Sequence, residues 1–234
     1  MTSARVLWRA AVLACAVVAR PVCAQVGTDP QKSPYRDMEF RQEWTTFAGY
    51  FNARSDPASV SPQGGGFVGE RYAFRMGGPA YFTMRVGGAV MKRHVVNPQL
   101  PLATRREKTV QVPMVAVDAG FEMQLTGSKT WHSIAPVING GVGFTGDLKG
   151  TSDVGGFQFG YPFTFTFGSG LKFVPHGGRG VRVDWSSYVY RLHYPDSYYL
   201  KSTADPAVLA STVKKNLWRR NNVWTVGLTI MNFR

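Results

Sequence analysis

The stretch Phe157-Gln158-Phe159-Gly160-Tyr161-Pro162-Phe163-Thr164-Phe165-Thr166-Phe167-Gly168-Ser169-Gly170-Leu171-Lys172-Phe173 decides the fold class. Its odd positions are aromatic except for Ser169 and Leu171, and its even positions are Gln, Gly, Pro, Thr and one Lys. Successive side chains leave an extended chain on opposite sides, so a period of two marks a β-strand with unlike faces.

The alternation recurs along the chain. Pro113, Val115, Val117, Ala119, Phe121, Met123 and Leu125 stand opposite Asp118, Gly120, Glu122 and Gln124. Ile134, Pro136, Ile138, Val142, Phe144 and Leu148 oppose Asn139, Gly141, Gly143, Thr145 and Asp147. Trp224, Val226, Leu228 and Ile230 alternate with Thr225, Gly227 and Thr229. Residues 43–53 carry apolar side chains on both faces, and 181–194 slips phase near Ser186-Ser187, where a bulge is expected. The pattern predicts eight strands, at about 43–53, 67–76, 80–92, 109–125, 131–148, 157–174, 180–194 and 222–233.

The connections after the second, fourth and sixth strands are short, at 77–79, 126–130 and 175–180. Those after the first, third and seventh are long, at 54–66, 93–108 and 195–221, and the one after the fifth, 149–156, is intermediate. A meander with short turns at one end and long loops at the other, closed to remove its edges, is the pattern of a transmembrane barrel. A soluble ligand-binding barrel is the rival. It would carry Lys, Glu and Asp on its water-facing positions, whereas the polar face of 157–173 holds a single lysine. Aromatic rings from many strands would also overfill a narrow lumen. The sequence therefore predicts an all-β, antiparallel, up-and-down transmembrane β-barrel of about eight strands.

Residues 1–24 read as a secretory signal peptide: Arg5 and Arg9, an apolar run at 10–19, then Val22-Cys23-Ala24 before Gln25. The expected organisation is signal peptide 1–24, a short periplasmic segment 25–40 and the barrel 41–234. Both cysteines, Cys15 and Cys23, fall in the removed segment, so the mature chain has no thiol chemistry. Loss of its three arginines takes the formal charge from +13 to +10. A secreted chain meets no chromosome, so nucleic acid is not expected as a partner.

The signal peptide, the eight alternating strands and the final Asn222-Val223-Trp224-Thr225-Val226-Gly227-Leu228-Thr229-Ile230-Met231-Asn232-Phe233-Arg234 resemble the small outer-membrane β-barrel proteins of Gram-negative bacteria. The resemblance covers essentially the whole mature chain. It implies a monomer in the cell outer membrane, inserted by a barrel-assembly machinery that reads a terminal aromatic. Here Phe233 is penultimate, Arg234 follows it, and Phe233 is out of phase with Trp224 and Ile230.

With the aromatic faces outward, Arg71, Arg75, Arg85, Asp118, Glu122, Asp147, Arg182 and Asp184 point inward. Mixed charges in a confined lumen pair with one another, so a salt-bridged plug is expected, with a selectivity-setting lining as the alternative. Basic residues gather in two long loops: Lys92, Arg93, Arg105, Arg106 and Lys108, then Lys214, Lys215, Arg219 and Arg220. At the cell exterior these suit lipopolysaccharide phosphates. Asp205-Pro206 reads as the start of a short helix bearing Leu209, Val213 and Leu217. Tyr188, Tyr190, Tyr194, Tyr198 and Tyr199 read as an interfacial girdle.

His132 and Ser133, adjacent on a strand, face opposite sides; His94 lies in a basic loop and His176 in a turn. His193 with Asp196 and Ser197 resembles a triad, though Asp and Ser are ordinary turn residues. No cofactor and no metal are expected. The reading is a non-enzymatic barrel with a structural, envelope-stabilising or surface-interaction role. A narrow channel for small or apolar solutes and a lipid A-modifying hydrolase or acyltransferase are the alternatives.

Overall fold

A computed structural model of the chain describes residues 33–232, apart from 39, 151, 176–177 and 202–204. The expected signal peptide, His176 and the Phe233-Arg234 terminus lie outside the described residues. The strands are β1 (Tyr35–Asp37), β2 (Gln42–Asn52), β3 (Gly65–Gly77), β4 (Ala80–Val96), β5 (Arg106–Gln124), β6 (Lys129–Trp131), β7 (Ile134–Asp147), β8 (Phe163–Phe173), β9 (Arg179–His193) and β10 (Asn216–Asn232). The eight long strands form an antiparallel meander, and β10 pairs back onto β2 to close it. The two short strands, β1 and β6, pair with each other at the short-turn end.

The register fixes the barrel's dimensions. From Gln42 the pairing runs through Phe74, Phe82, Phe121, Gly140, Phe167, Ser187 and Asn222 to Asn52, ten residues further along β2. Eight strands with that stagger tilt by roughly 40° around a wall of roughly 8 Å radius. Such a lumen holds side chains and little else.

Burial alternates with the strand period. Phe163, Phe165, Phe167, Leu171 and Phe173 face out, while Thr164, Thr166 and Lys172 are buried. Met84, Val86, Val117, Phe121, Val142, Phe144, Trp224, Val226, Leu228 and Ile230 continue an exposed apolar belt. Inside, glycines admit large rings. A Cβ on Gly87 would lie 2.4 Å from Phe67, so that ring rests on bare backbone.

Several sequence expectations are corrected. Phe157 and Phe159 precede β8 and turn inward, 1% and 7% exposed, because Gly156 and Gly160 take positive φ and break the alternation. The short helix from Asp205 does not form; β10 starts at Asn216, since tertiary pairing with β9 outweighs weak local capping. Ser186-Ser187 carries no bulge, and β9–β10 pairing runs through it unbroken. The register shifts instead at Arg75/Gly77 and Val95/Val96. Residues 43–53 had two apolar faces because Phe47 and Phe51 fill the lumen while Trp44 and Tyr50 face out.

Candidate functional site

The lumen is built in layers. At the short-turn end Met38, Phe40, Ala135, Val174 and Met231 form a buried apolar cluster. Arg75 belongs to this end and stands apart from the ion network expected of it. Its Nε donates to Gly78 O at 2.7 Å, Nη1 to Met38 O at 2.9 Å and Nη2 to Ser128 Oγ at 2.7 Å.

Above it lies a network of eight charges. Arg71, Arg85, Lys172 and Arg182 meet Glu43, Asp118, Glu122 and Asp184, every one buried. Glu122 is the hub. It pairs with Arg71 and Arg182 and, at 2.6 Å, with Lys172. Lys172 Nζ also donates to both oxygens of Glu43, at 2.8 and 2.7 Å. Arg182 pairs with Asp184. Arg85 forks onto Asp118 at 3.0 and 3.2 Å and donates to Ser186 Oγ at 3.0 Å.

The register explains why the network must be complete. Arg71 lies directly opposite Arg85, and Lys172 directly opposite Arg182. Like charges across a strand pair repel, so both pairs require carboxylates reaching over from β2, β5 and β9. Four cations and four carboxylates leave the network with no net formal charge. A cavity of about 10 Å³ remains beside Arg71, Asp118 and Asn139, room for about one water.

Asp147 is buried and accepts from Lys149 N at 2.8 Å, apart from the network. Sequence reasoning missed Glu43 and Lys172. Lys172 was legible as the one charge on the polar face of the opening stretch; Glu43 was hidden on a strand with two apolar faces. It also missed Glu70, which faces outward on β3 and accepts from Trp44 Nε1 at 2.8 Å and Thr46 Oγ1 at 2.9 Å.

Towards the long loops the lumen becomes aromatic. Phe67 packs on Phe47 and Phe51, and Phe51 on Tyr188, with centroids 5.3–5.9 Å apart. Tyr188 Oη donates to Asp118 at 3.2 Å and so joins the aromatic layer to the ion network. Phe157, Tyr194 and Tyr198 stack above. The tyrosines expected to form a girdle are thus inside: Tyr188, Tyr190, Tyr194 and Tyr198 are buried. Tyr199 alone of the five is part-exposed.

Two buried loop carboxylates hold this cap together. Asp153 pairs with Arg93 and accepts from Val96 N at 3.2 Å and Tyr198 Oη at 3.0 Å. Asp56 accepts from Ser61 N at 2.8 Å and Tyr194 Oη at 2.8 Å. Burial, reinforced by these carboxylates, raises both phenols well above the usual tyrosine range.

The basic candidates divide. Arg93 is fully buried, so it cannot contact lipid phosphate. Arg105 is buried and donates to Pro206 O at 2.9 Å and Leu100 O at 3.3 Å. Arg219 donates to the carbonyls of Arg54 and Ser55, and Lys215 pairs with Asp196. Lys92, Arg106, Lys108, Lys214 and Arg220 are exposed. The sequence reads Arg93, Arg105 and Arg219 as loop surface charge, whereas Arg93 and Arg219 lie on the long-loop ends of β4 and β10, and Arg93 and Arg105 turn inward.

His132 and Ser133 sit in a turn with positive φ, not on a strand. His193 Nδ1 contacts Asn216 Oδ1 at 3.0 Å, and Ser197 Oγ donates to Gly155 O. His193, Asp196 and Ser197 therefore each engage a different partner. Among the described residues no three His, Asp or Glu side chains gather as metal ligands would.

A closed eight-stranded meander with an outward aromatic belt and a charged lumen has the fold of the small outer-membrane β-barrels. Among solved structures, the chain is similar to the outer membrane protein OprG from Pseudomonas aeruginosa, with TM-score 0.52 and 8% identity, over 87% of this chain and all of that one. It also matches Neisserial surface protein A, at TM-score 0.46 and 11% identity, over 86% and 98% of the two chains. A third match is the Yersinia pestis outer membrane protein Ail in a bilayer nanodisc, at TM-score 0.37 and 13% identity, over 82% and 99%. No family model matches the sequence, and no curated protein is recognisably similar.

Proposed function

We propose that the protein is an integral, monomeric barrel of the outer membrane that acts without enzymatic activity, stabilising the envelope through contacts with its lipids. The long loops face the cell exterior and the short turns the periplasm, as outer-membrane barrels orient. The observation that carries this reading is a lumen occupied along its length by apolar, ionic and aromatic layers while the apolar belt faces out. That arrangement supports a scaffold presented to lipid rather than a conduit for solutes. The barrel-assembly machinery is its expected partner during biogenesis.

Fractionation tests the location: heat-modifiable migration of an outer-membrane band is expected, and recovery as a soluble periplasmic protein overturns it. Planar bilayers test the closed lumen. A silent membrane is expected, and steady conductance steps favour the narrow channel instead.

A further inference from the structure

The register sets the depth of each outward side chain. A strand tilted by roughly 40° advances ~2.5 Å along the barrel axis per residue. On β10 the exposed apolar run Ile230, Leu228, Val226, Trp224 ends below Asn222 and Arg220. On β9 the outward positions from Val181 to Val189 precede Arg191. Both arginines therefore emerge at the upper rim of the belt, on adjacent strands.

Their setting is specific. Arg220 lies opposite Val189, and Arg191 opposite Trp218, which places the two cations on a diagonal. Cations so placed repel, and among the described residues no ion pair engages either one. Arg220 is held in position. Its Nε donates to Ser187 Oγ at 2.7 Å, and its guanidinium lies 5.2 Å from the Phe167 ring and 5.4 Å from Trp185. That fixes the planar fork and leaves both Nη amines for an external acceptor. Trp218, 53% exposed, packs on Phe165 at 6.0 Å and offers a flat face beside the two charges.

Preorganised guanidinium forks suit phosphate, and a flat aromatic face suits a sugar ring. We propose that Arg191 and Arg220, flanking Trp218, bind the phosphorylated sugar headgroup of an outer-leaflet glycolipid. The inference deepens the envelope reading and rests on it for the presence of that lipid. It moves the principal lipid contact from the loops to one side of the barrel wall.

The test is lipid binding by purified barrel in phosphatidylcholine nanodiscs, followed by native mass spectrometry. Three probes are compared: bisphosphorylated lipid A, dephosphorylated lipid A and phosphatidylglycerol. Wild type prefers bisphosphorylated lipid A over both others. Each arginine supplies charge-assisted bonds, so the R191Q/R220Q variant lowers that occupancy by at least ~10-fold. Arg179→Gln, exposed at the short-turn end of β9, leaves it within ~2-fold. Heat-modifiable migration certifies that each variant is folded. Equal binding of dephosphorylated lipid A or phosphatidylglycerol overturns the assignment, as does undiminished binding by R191Q/R220Q. The assay does not depend on where the protein resides, so its failure is distinguishable from a failed fractionation.

Discussion

Replacing Glu122 by Gln removes the hub of the luminal network while keeping its shape. Three cations lose charge-pairing to that carboxylate: Arg71, Lys172 and Arg182. Coulomb's law at an effective dielectric of ~20 gives roughly 6 kcal/mol gross for the 2.6 Å Lys172 contact. Much of that offsets desolvation, and Lys172 and Arg182 retain Glu43 and Asp184. Arg71 retains no ion pair among the described residues and still faces Arg85 across the strand pair. Stranding one buried charge costs about 3–5 kcal/mol, so E122Q is expected to lose ~4 kcal/mol. The assay is urea unfolding in phospholipid vesicles, followed by tryptophan fluorescence and gel migration. The double variant E122Q/R71M restores neutrality, with three cations against three carboxylates, and is expected to recover at least ~2 kcal/mol of the loss. A single-variant loss below ~1 kcal/mol, or a double variant no more stable than the single, refutes the neutrality argument.

Other perturbations probe the remaining layers. Phe157→Ala, which deletes a ring stacked on Tyr194 and Tyr198, should cost ~3–5 kcal/mol and open the 148–162 loop to limited proteolysis before the strands are cut. Gly49→Ala and Gly143→Ala place a Cβ 1.9 Å from a carbonyl oxygen of the neighbouring strand. Both should fail to give a heat-modifiable band, and normal folding of either contradicts the register at that crossing. The Asp196 carboxyl is held below its usual range by hydrogen bonding and attraction to Lys215. Its contribution is therefore full at neutral pH. It fades as pH falls below 3.8, the ordinary aspartate value, and is lost once the folded carboxyl protonates. Loop resonances near Asp196 should shift in that acid range in wild type and not in Asp196→Asn.

The opening stretch shows how much function was legible before folding. Its alternation assigned Thr164, Thr166 and Lys172 to the lumen and the phenylalanines from Phe163 to lipid. The same rule failed at Phe157 and Phe159, where a glycine with positive φ on either side takes the chain off the strand. Arg85 and Asp118 were both placed inward, and the β4–β5 register sets them directly opposite. Arg75 was assigned to the same interior, but near the end of its strand it serves the N-terminal segment instead.

The sequence by itself determined the class. Periodicity, strand length, alternating loop lengths and scarce surface charge are local or additive properties, and they suffice for a closed barrel with aromatics turned to lipid. Tertiary structure decided which charges meet. Arg93 and Asp153, or Lys172 and Glu43, are far apart in sequence and come together only through strand stagger and loop closure. It also decided where the outer cations point: Arg93 and Arg105 turn inward to a buried carboxylate and to loop carbonyls, while Arg191 and Arg220 lie diagonally on adjacent strands. Pairing of buried charge depends on three-dimensional proximity and desolvation, and neither is a property of residues read in order.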